Sequence, residues 1–260
     1  MLRPRIIPCL LVKNKGLVKT VNFKTPKYLG DPINAVRIFN EKQVDELMIV
    51  DIDATVEKRG PDFKIIEYWA SQCRMPLCYG GGITTIDEAK TIFGLGVEKV
   101  ALSAAAVNDP TLITKIAEKV GSQSVIVVLD VKKNKNNQYE VFTHNGLKAT
   151  GIDPIHFAKK MQDFGVGEIV INAIDNDGVM KGYDFNLIDQ VRNAVSVPMT
   201  VLGGAGTIND IAELIKRFKI IGASAGSLFV FKGIYKAVLI NYPSPSDKRK
   251  LITEALGIDQ

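Results

Sequence analysis

The chain repeats itself at about half its length, and that repeat limits its fold more than any other feature. Met75-Pro76-Leu77-Cys78-Tyr79-Gly80-Gly81-Gly82-Ile83 is echoed by Val197-Pro198-Met199-Thr200-Val201-Leu202-Gly203-Gly204-Ala205. Val44-Asp45-Glu46-Leu47 followed by Asp51-Ile52-Asp53 is echoed by Val166-Gly167-Glu168-Ile169 followed by Ala173-Ile174-Asp175. Both echoes lie about 122 residues on, and Leu10-Leu11-Val12-Lys13 returns as Leu129-Asp130-Val131-Lys132 at about 119, a period long enough to hold several strand–helix units.

Between the echoes, short apolar runs alternate with amphipathic stretches. The runs are Ile6–Val12, Glu46–Ile52, Leu77–Tyr79, Lys99–Ser103, Ser124–Asp130, Glu168–Ala173, Met199–Leu202 and Ile220–Ala223. They are rich in β-branched residues and mostly lack polar alternation, as parallel strands buried on both faces should be. Helical patterns lie between them, among them Ile86–Phe93, Pro110–Glu118, Pro154–Phe164 and Asp184–Val195. Asp109-Pro110 and Asp153-Pro154 pair an N-cap acid with proline at the first helical position. Such alternation fits a closed barrel or a doubly wound sheet, but only the barrel calls for a pseudo-twofold repeat. The expected fold is therefore α/β, a single (βα)8 TIM barrel. Its half-barrels span about 1–122 and 123–245, followed by a helical tail at 246–260.

Size and composition agree with one soluble unit: 260 residues, 46% hydrophobic and 23% charged, within the range of single α/β barrels. Cys9, Cys73 and Cys78 form no disulfide framework and lack zinc-ligand spacing. Neither a metal nor a cofactor is implied. No apolar stretch near the N-terminus suits a signal peptide or a membrane span, so a cytoplasmic protein is expected. Net charge is +5, and the lysines in Lys13–Lys27 and Lys132–Lys135 read either as a solvated face or as an anion-attracting rim. No basic–aromatic pattern or nucleic-acid-binding motif is present.

Chemistry in such barrels sits at the C-terminal ends of the strands. Gly80-Gly81-Gly82 and Gly203-Gly204-Ala205-Gly206 follow the third and seventh runs, where missing side chains let backbone N–H groups approach an anion. Ala225-Gly226-Ser227 follows the eighth run, and Ser103-Ala104-Ala105 is its counterpart after the fourth. Two phosphate pockets on opposite sides of the mouth follow, or else two tight turns. Asp130 ends an apolar strand, where a carboxylate is costly to bury unless it is paired or functional, which makes it a candidate acid/base. Asp177-Gly178 could bind substrate hydroxyls or form a turn, and Asp51 and Asp53 share that ambiguity. At the opposite end, Arg5, Glu46, Lys99 and Glu168 open four strands. They would form a ring of ion pairs, either structural or a gate at the barrel base.

Taken together with Arg5-Ile6-Ile7-Pro8-Cys9-Leu10, Ala149-Thr150-Gly151 and Asp175-Asn176-Asp177-Gly178, these motifs make the chain resemble the cyclase subunit of imidazole glycerol phosphate synthase over nearly its whole length. In that family a glutaminase subunit docks under the barrel. Its ammonia passes a charged gate, crosses the barrel and meets a bisphosphorylated ribulose-type substrate at the top. The resemblance implies that Arg5, Glu46, Lys99 and Glu168 match the gate and Asp130 one of two catalytic aspartates. It sets Gly82 and Ser103 in one phosphate pocket and Gly203, Gly204, Gly226 and Ser227 in or near the other. Asp177 and Gly178 match substrate-contacting positions.

The departures are specific. The family's other catalytic aspartate falls at Leu11, which cannot transfer a proton, and the repeat shows the same loss without any alignment. Ser103-Ala104 stands where the family has Asn-Thr, Asn172 replaces a threonine and Leu202 a serine. The mouth has changed while the gate residues have stayed. This pattern resembles paralogues that serve surface-polysaccharide pathways, delivering ammonia to an amidotransferase that converts an acetamido sugar to an acetamidino one. The expected function is such a paralogue, with weak or no cyclase activity. The alternatives are an authentic cyclase of histidine biosynthesis and a non-catalytic scaffold.

Overall fold

The computed structural model describes residues 3–258, and its core is a closed (βα)8 barrel. The eight parallel strands are β1 (Arg5–Lys13), β2 (Leu47–Asp51), β3 (Leu77–Gly80), β4 (Lys99–Leu102), β5 (Val125–Lys133), β6 (Glu168–Ala173), β7 (Met199–Leu202) and β8 (Gly222–Ala225). Each strand pairs with the next, and β8 pairs back with β1 through Arg5↔Gly222 to Pro8↔Ala225, so the ring has no edge. The longer helices are α1 (Pro32–Glu41), α2 (Phe63–Gln72), α3 (Ile86–Gly94), α4 (Thr111–Val120), α5 (Pro154–Asp163), α6 (Phe185–Ala194), α7 (Ile208–Phe218) and α8 (Pro245–Leu256), with two short ones, Ala104–Asn108 and Ser227–Val230, just after β4 and β8.

Local chemistry sets the helix starts. Asp153 accepts from His156 N with Pro154 at the first position, and Thr85–Glu88 and Thr207–Asp210 each close a capping box. Asp109 accepts from Thr111 N at 3.0 Å, while Pro110 itself stands as the cap of α4. The eighth strand begins at Gly222 rather than at Ile220. Lys219 ends α7 with φ of 62° and Ile220 is 55% exposed, so two residues of that apolar run serve the turn. Tyr242 donates to Ile6 O at 2.9 Å, and Lys248 reaches Asp45 Oδ1 at 2.8 Å, holding the C-terminal segment against the barrel base. The last two residues of the expected tail lie outside the described residues.

Strand parity decides what faces inward. The outward set, with Ile6, Leu10, Leu47, Val125, Ile169 and Val201, packs on the helices as the main core. The inward set forms a smaller cluster of Ile7, Cys9, Met48, Cys78, Ala101, Ile126, Val170 and Leu202. Two residues below or above these apolar layers the same columns turn polar. Arg5, Glu46, Lys99 and Glu168 lie at the bottom, and Ser103, Asp130 and Asn172 lie at the top. The barrel interior is thus an apolar cluster between two polar ends.

Three antiparallel hairpins extend beyond the barrel, and the sequence pattern had not indicated them. Gly16–Val21 and Lys24–Gly30 continue β1, while Tyr139–Thr143 and Lys148–Ala149 continue β5. Phe231–Lys232 pairs with Ala237–Val238 ahead of α8.

Candidate functional site

At the strands' C-terminal ends a cavity is lined by Leu11, Gly82, Ser103, Asp130, Asn172 and Asp177, with Lys19, His144 and Gly226 also on its wall. Asp130 lies on the inward face toward the end of β5. Asn172 donates from Nδ2 to its Oδ1 at 2.9 Å and Ser103 from Oγ to its Oδ2 at 3.3 Å. Burial pushes the Asp130 carboxyl up to about 7, against the two hydrogen bonds, which favour the ionised form. It therefore exchanges a proton near neutrality, as an acid/base group requires. Across the barrel, the matching position on β1 is Leu11, packed with Val50 and Val128 on the inner apolar cluster. At this position the β5 side of the mouth carries an acid and the β1 side does not.

Two arms close over this mouth. Lys19, on the first hairpin, donates to both Asp177 oxygens at 2.9 and 3.0 Å, and both side chains are 6% exposed. Asn22 N donates to Asp177 O at 2.8 Å. Gly178 has φ of 73°, and a Cβ there would lie 2.3 Å from Thr20 O, so glycine permits the hairpin to seat. From the other arm Asn145 Nδ2 donates to Ile52 O at 2.8 Å. Sequence reasoning reached Asp177 and Gly178 but missed Lys19, Phe23, His144 and Asn145. The available signals were Asn14-Lys15, Asn22-Phe23 and His144-Asn145, each pair with positive φ as in tight hairpin turns.

The glycine loops divide unevenly. Gly82 and Ser103 line the cavity and Gly226 borders it beside the Lys19 stem, whereas Gly178, Gly203, Gly204 and Ser227 lie outside its lining. A Cβ on Gly203, at φ of 87°, would meet Ala173 O at 2.6 Å and Asn172 Oδ1 at 2.9 Å, so backbone crowding alone already calls for glycine. Two buried polar atoms have no partner among the described residues: Asn172 Oδ1, beside this loop, and Ser227 Oγ, just after β8. Asp51 is occupied by Arg59, at 2.9 and 3.1 Å, and by the N–H groups of Asp53 and Ala54. Asp53 accepts from Asn14 N and faces Lys13. Both carboxylates thus brace a loop.

At the base, Arg5 pairs with Glu46 at 2.5 Å and with Glu168 at 2.6 Å, and Lys99 with the same two at 2.8 and 3.0 Å. The four charges sum to zero and close a ring beneath the apolar layers. Burial alone would raise the Glu168 carboxyl, but Arg5 and Lys99 outweigh it and hold the group below its usual value. Among the described residues no cluster of His, Cys, Asp and Glu could hold a metal ion, and no helix is long and apolar enough to cross a membrane.

The model of a family described as histidine biosynthesis protein matches residues 5–236. A Vibrio vulnificus protein provisionally named imidazole glycerol phosphate synthase subunit hisF3 is 58% identical over 97% of either chain. A Leptospira interrogans protein with the same kind of provisional name is 54% identical, over 96% of this chain and 99% of its own. The imidazole glycerol phosphate synthase subunit HisF of Natranaerobius thermophilus is 38% identical, over 94% and 97%.

Proposed function

The chain belongs to the histidine biosynthesis protein family, as a HisF-type imidazole glycerol phosphate synthase subunit, and on that premise we propose that it conducts ammonia from a glutaminase subunit to an acceptor at its mouth with weak or no cyclase activity of its own. One observation carries this reading: the position on β1 opposite Asp130 is Leu11, and the other carboxylates on the wall, Asp51 and Asp177, are already paired with Arg59 and Lys19, so a second free carboxylate is lacking. Where a pair acts as a unit, losing one member costs about 10²–10⁴ in rate or more. The path itself is intact in kind. The neutral ion-pair ring at the base suits a gate, and the apolar layers above it favour neutral ammonia over ammonium.

In this reading the glutaminase docks at the N-terminal face around the ring. Gly82 and Ser103 still offer an anion pocket, and Gly203, Gly204, Gly226 and Ser227 a second, fitting a phosphorylated small molecule. The acceptor is a surface-polysaccharide sugar, with a sugar amidotransferase as the further partner. A second reading, the authentic cyclase, draws on Asp130, whose carboxyl near 7 is poised for proton transfer.

The test uses the chain in complex with its glutaminase. Ammonium-dependent turnover of the ribulosyl bisphosphate substrate is measured beside glutamine hydrolysis, and the gene is placed in a histidine auxotroph lacking the cyclase. Stimulated glutamine hydrolysis with negligible cyclase turnover is expected. Growth of the auxotroph would refute the proposal in favour of the cyclase, and a chain that neither binds nor stimulates glutaminase would leave only a scaffold.

A further inference from the structure

A second cavity, of about 170 Å³, lies outside the barrel wall, between β1, β3 and the start of α2. Its walls are Val12, Ile65, Ile66, Trp69 and the ring of Tyr79, which points outward from β3 between strand and helix. Tyr79 is 2% exposed and Trp69 5%. Among the described residues no hydrogen bond engages the Tyr79 hydroxyl, and since that oxygen is not one of the fully buried, unpartnered atoms, it is open to a ligand in the cavity that Tyr79 lines.

The rim is charged but already neutralised: Arg59 pairs with Asp51 at 2.9 Å and Lys15 with Asp62 at 3.2 Å. A ligand that needed charge would have to break one of these pairs. A cavity of about 150 Å³ with apolar walls is large enough for a benzene ring, and the walls here add one unused hydroxyl and an indole face.

We propose that this cavity is a binding site for a small neutral aromatic molecule bearing one hydroxyl or N–H, held by stacking and van der Waals contact with Trp69 and a hydrogen bond to Tyr79. The site is separate from the mouth and does not depend on the ammonia reading. It is nonetheless linked to the mouth, because Asp51 borders both cavities and its backbone packs against Gly81 of the first glycine loop.

Trp69 is the chain's single tryptophan, so one indole N–H resonance reports on occupancy. Phenol and toluene are the probes, titrated into the full chain. A saturable shift with phenol at a millimolar dissociation constant is expected. Ile65→Phe, which fills the cavity from a half-exposed helix position, should abolish it. Tyr79→Phe should weaken phenol about fivefold or more while leaving toluene unchanged, the effect of one lost hydrogen bond. A response that stays linear with phenol concentration and is the same in Ile65→Phe would overturn the site. Equal phenol affinity in Tyr79→Phe would overturn the hydrogen bond, and that comparison stands even where Ile65→Phe folds poorly.

Discussion

Asn172 donates to Asp130 across 2.9 Å while its own Oδ1 remains without a partner among the described residues. The donor favours the ionised carboxylate, and it partly offsets the burial that sets Asp130 near 7. Replacing it with a residue of similar shape but no donor, Asn172→Leu, should move the Asp130 midpoint upward. Carbon-13 NMR of labelled aspartate carboxyls reads this directly. An unchanged or lower midpoint would mean that the contact does not tune the acid.

The same raised carboxyl makes a stability prediction of definite sign. Asp130 titrates near 7 folded and near 3.9 unfolded. Between those values the folded state binds more protons, so this group's contribution falls as pH rises. Asp130→Asn removes the cost of a buried carboxylate. Relative to the parent it should gain stability on going from pH 4 to pH 8, by an amount on the order of a few kcal/mol. Urea unfolding at the two pH values measures it, and a gain that is larger at pH 4 would contradict the assignment.

The barrel was legible because its signals are local and repeat. Eight β-branched apolar runs, the acid–proline helix start at Asp153-Pro154 and the half-chain echo all point the same way. Asp130 was legible because a carboxylate ending the run Ser124–Leu129 has no apolar purpose. The arms were not. Lys19 sits in a run of lysines that reads either as a solvated face or as an anion-attracting rim, yet it is buried against Asp177, 158 residues away. Only the fold supplies that partner. Asp51 and Asp53 were ambiguous for the same reason, since Arg59 and the loop N–H groups that occupy them are selected by the turn they make. The side cavity at Tyr79 left no trace in sequence, because an outward tyrosine on a strand ordinarily reads as core.

At the base, Lys99→Met should cost about 2–4 kcal/mol, near the lower part of the range for breaking a buried pair, because Lys99 keeps 18% exposure. Glu46 and Glu168 would then share Arg5 alone. The carboxyl of Glu168, now held below its usual value, should rise, and stability should be lost at higher pH on acidification than in the parent. Acid unfolding curves of the two proteins test both parts, and coincident curves would show that the ring is not coupled.

Gly178→Ala places a methyl 2.3 Å from Thr20 O at a backbone φ of 73°. The first hairpin must lift, and the buried Lys19–Asp177 pair must open with it. Hydrogen exchange should speed up across residues 16–30 while β5 and β6 keep their protection. If the arm and the barrel loosen together, the hairpin is part of the core rather than a separable cover.

The sharpest test of the mouth is Leu11→Asp. In an eight-stranded barrel β1 and β5 stand on opposite sides, so a carboxylate at position 11 faces Asp130 across the cavity. A second carboxylate would raise the shared midpoints further by like-charge repulsion and would cost about 1–3 kcal/mol for burial beside Val50 and Val128. If the missing acid is what limits cyclase chemistry, ammonium-dependent turnover of the ribulosyl bisphosphate substrate should rise by about 10²-fold or more. Leu11→Asn has the same shape without the acid and should show no gain. Equal activity in the two variants, with substrate bound in both, would place the block elsewhere. It would then lie with Ser103, Ala104, Asn172 and Leu202, which shape the rest of the mouth, and the single proton carrier would no longer support the proposal of an ammonia-conducting barrel without cyclase activity.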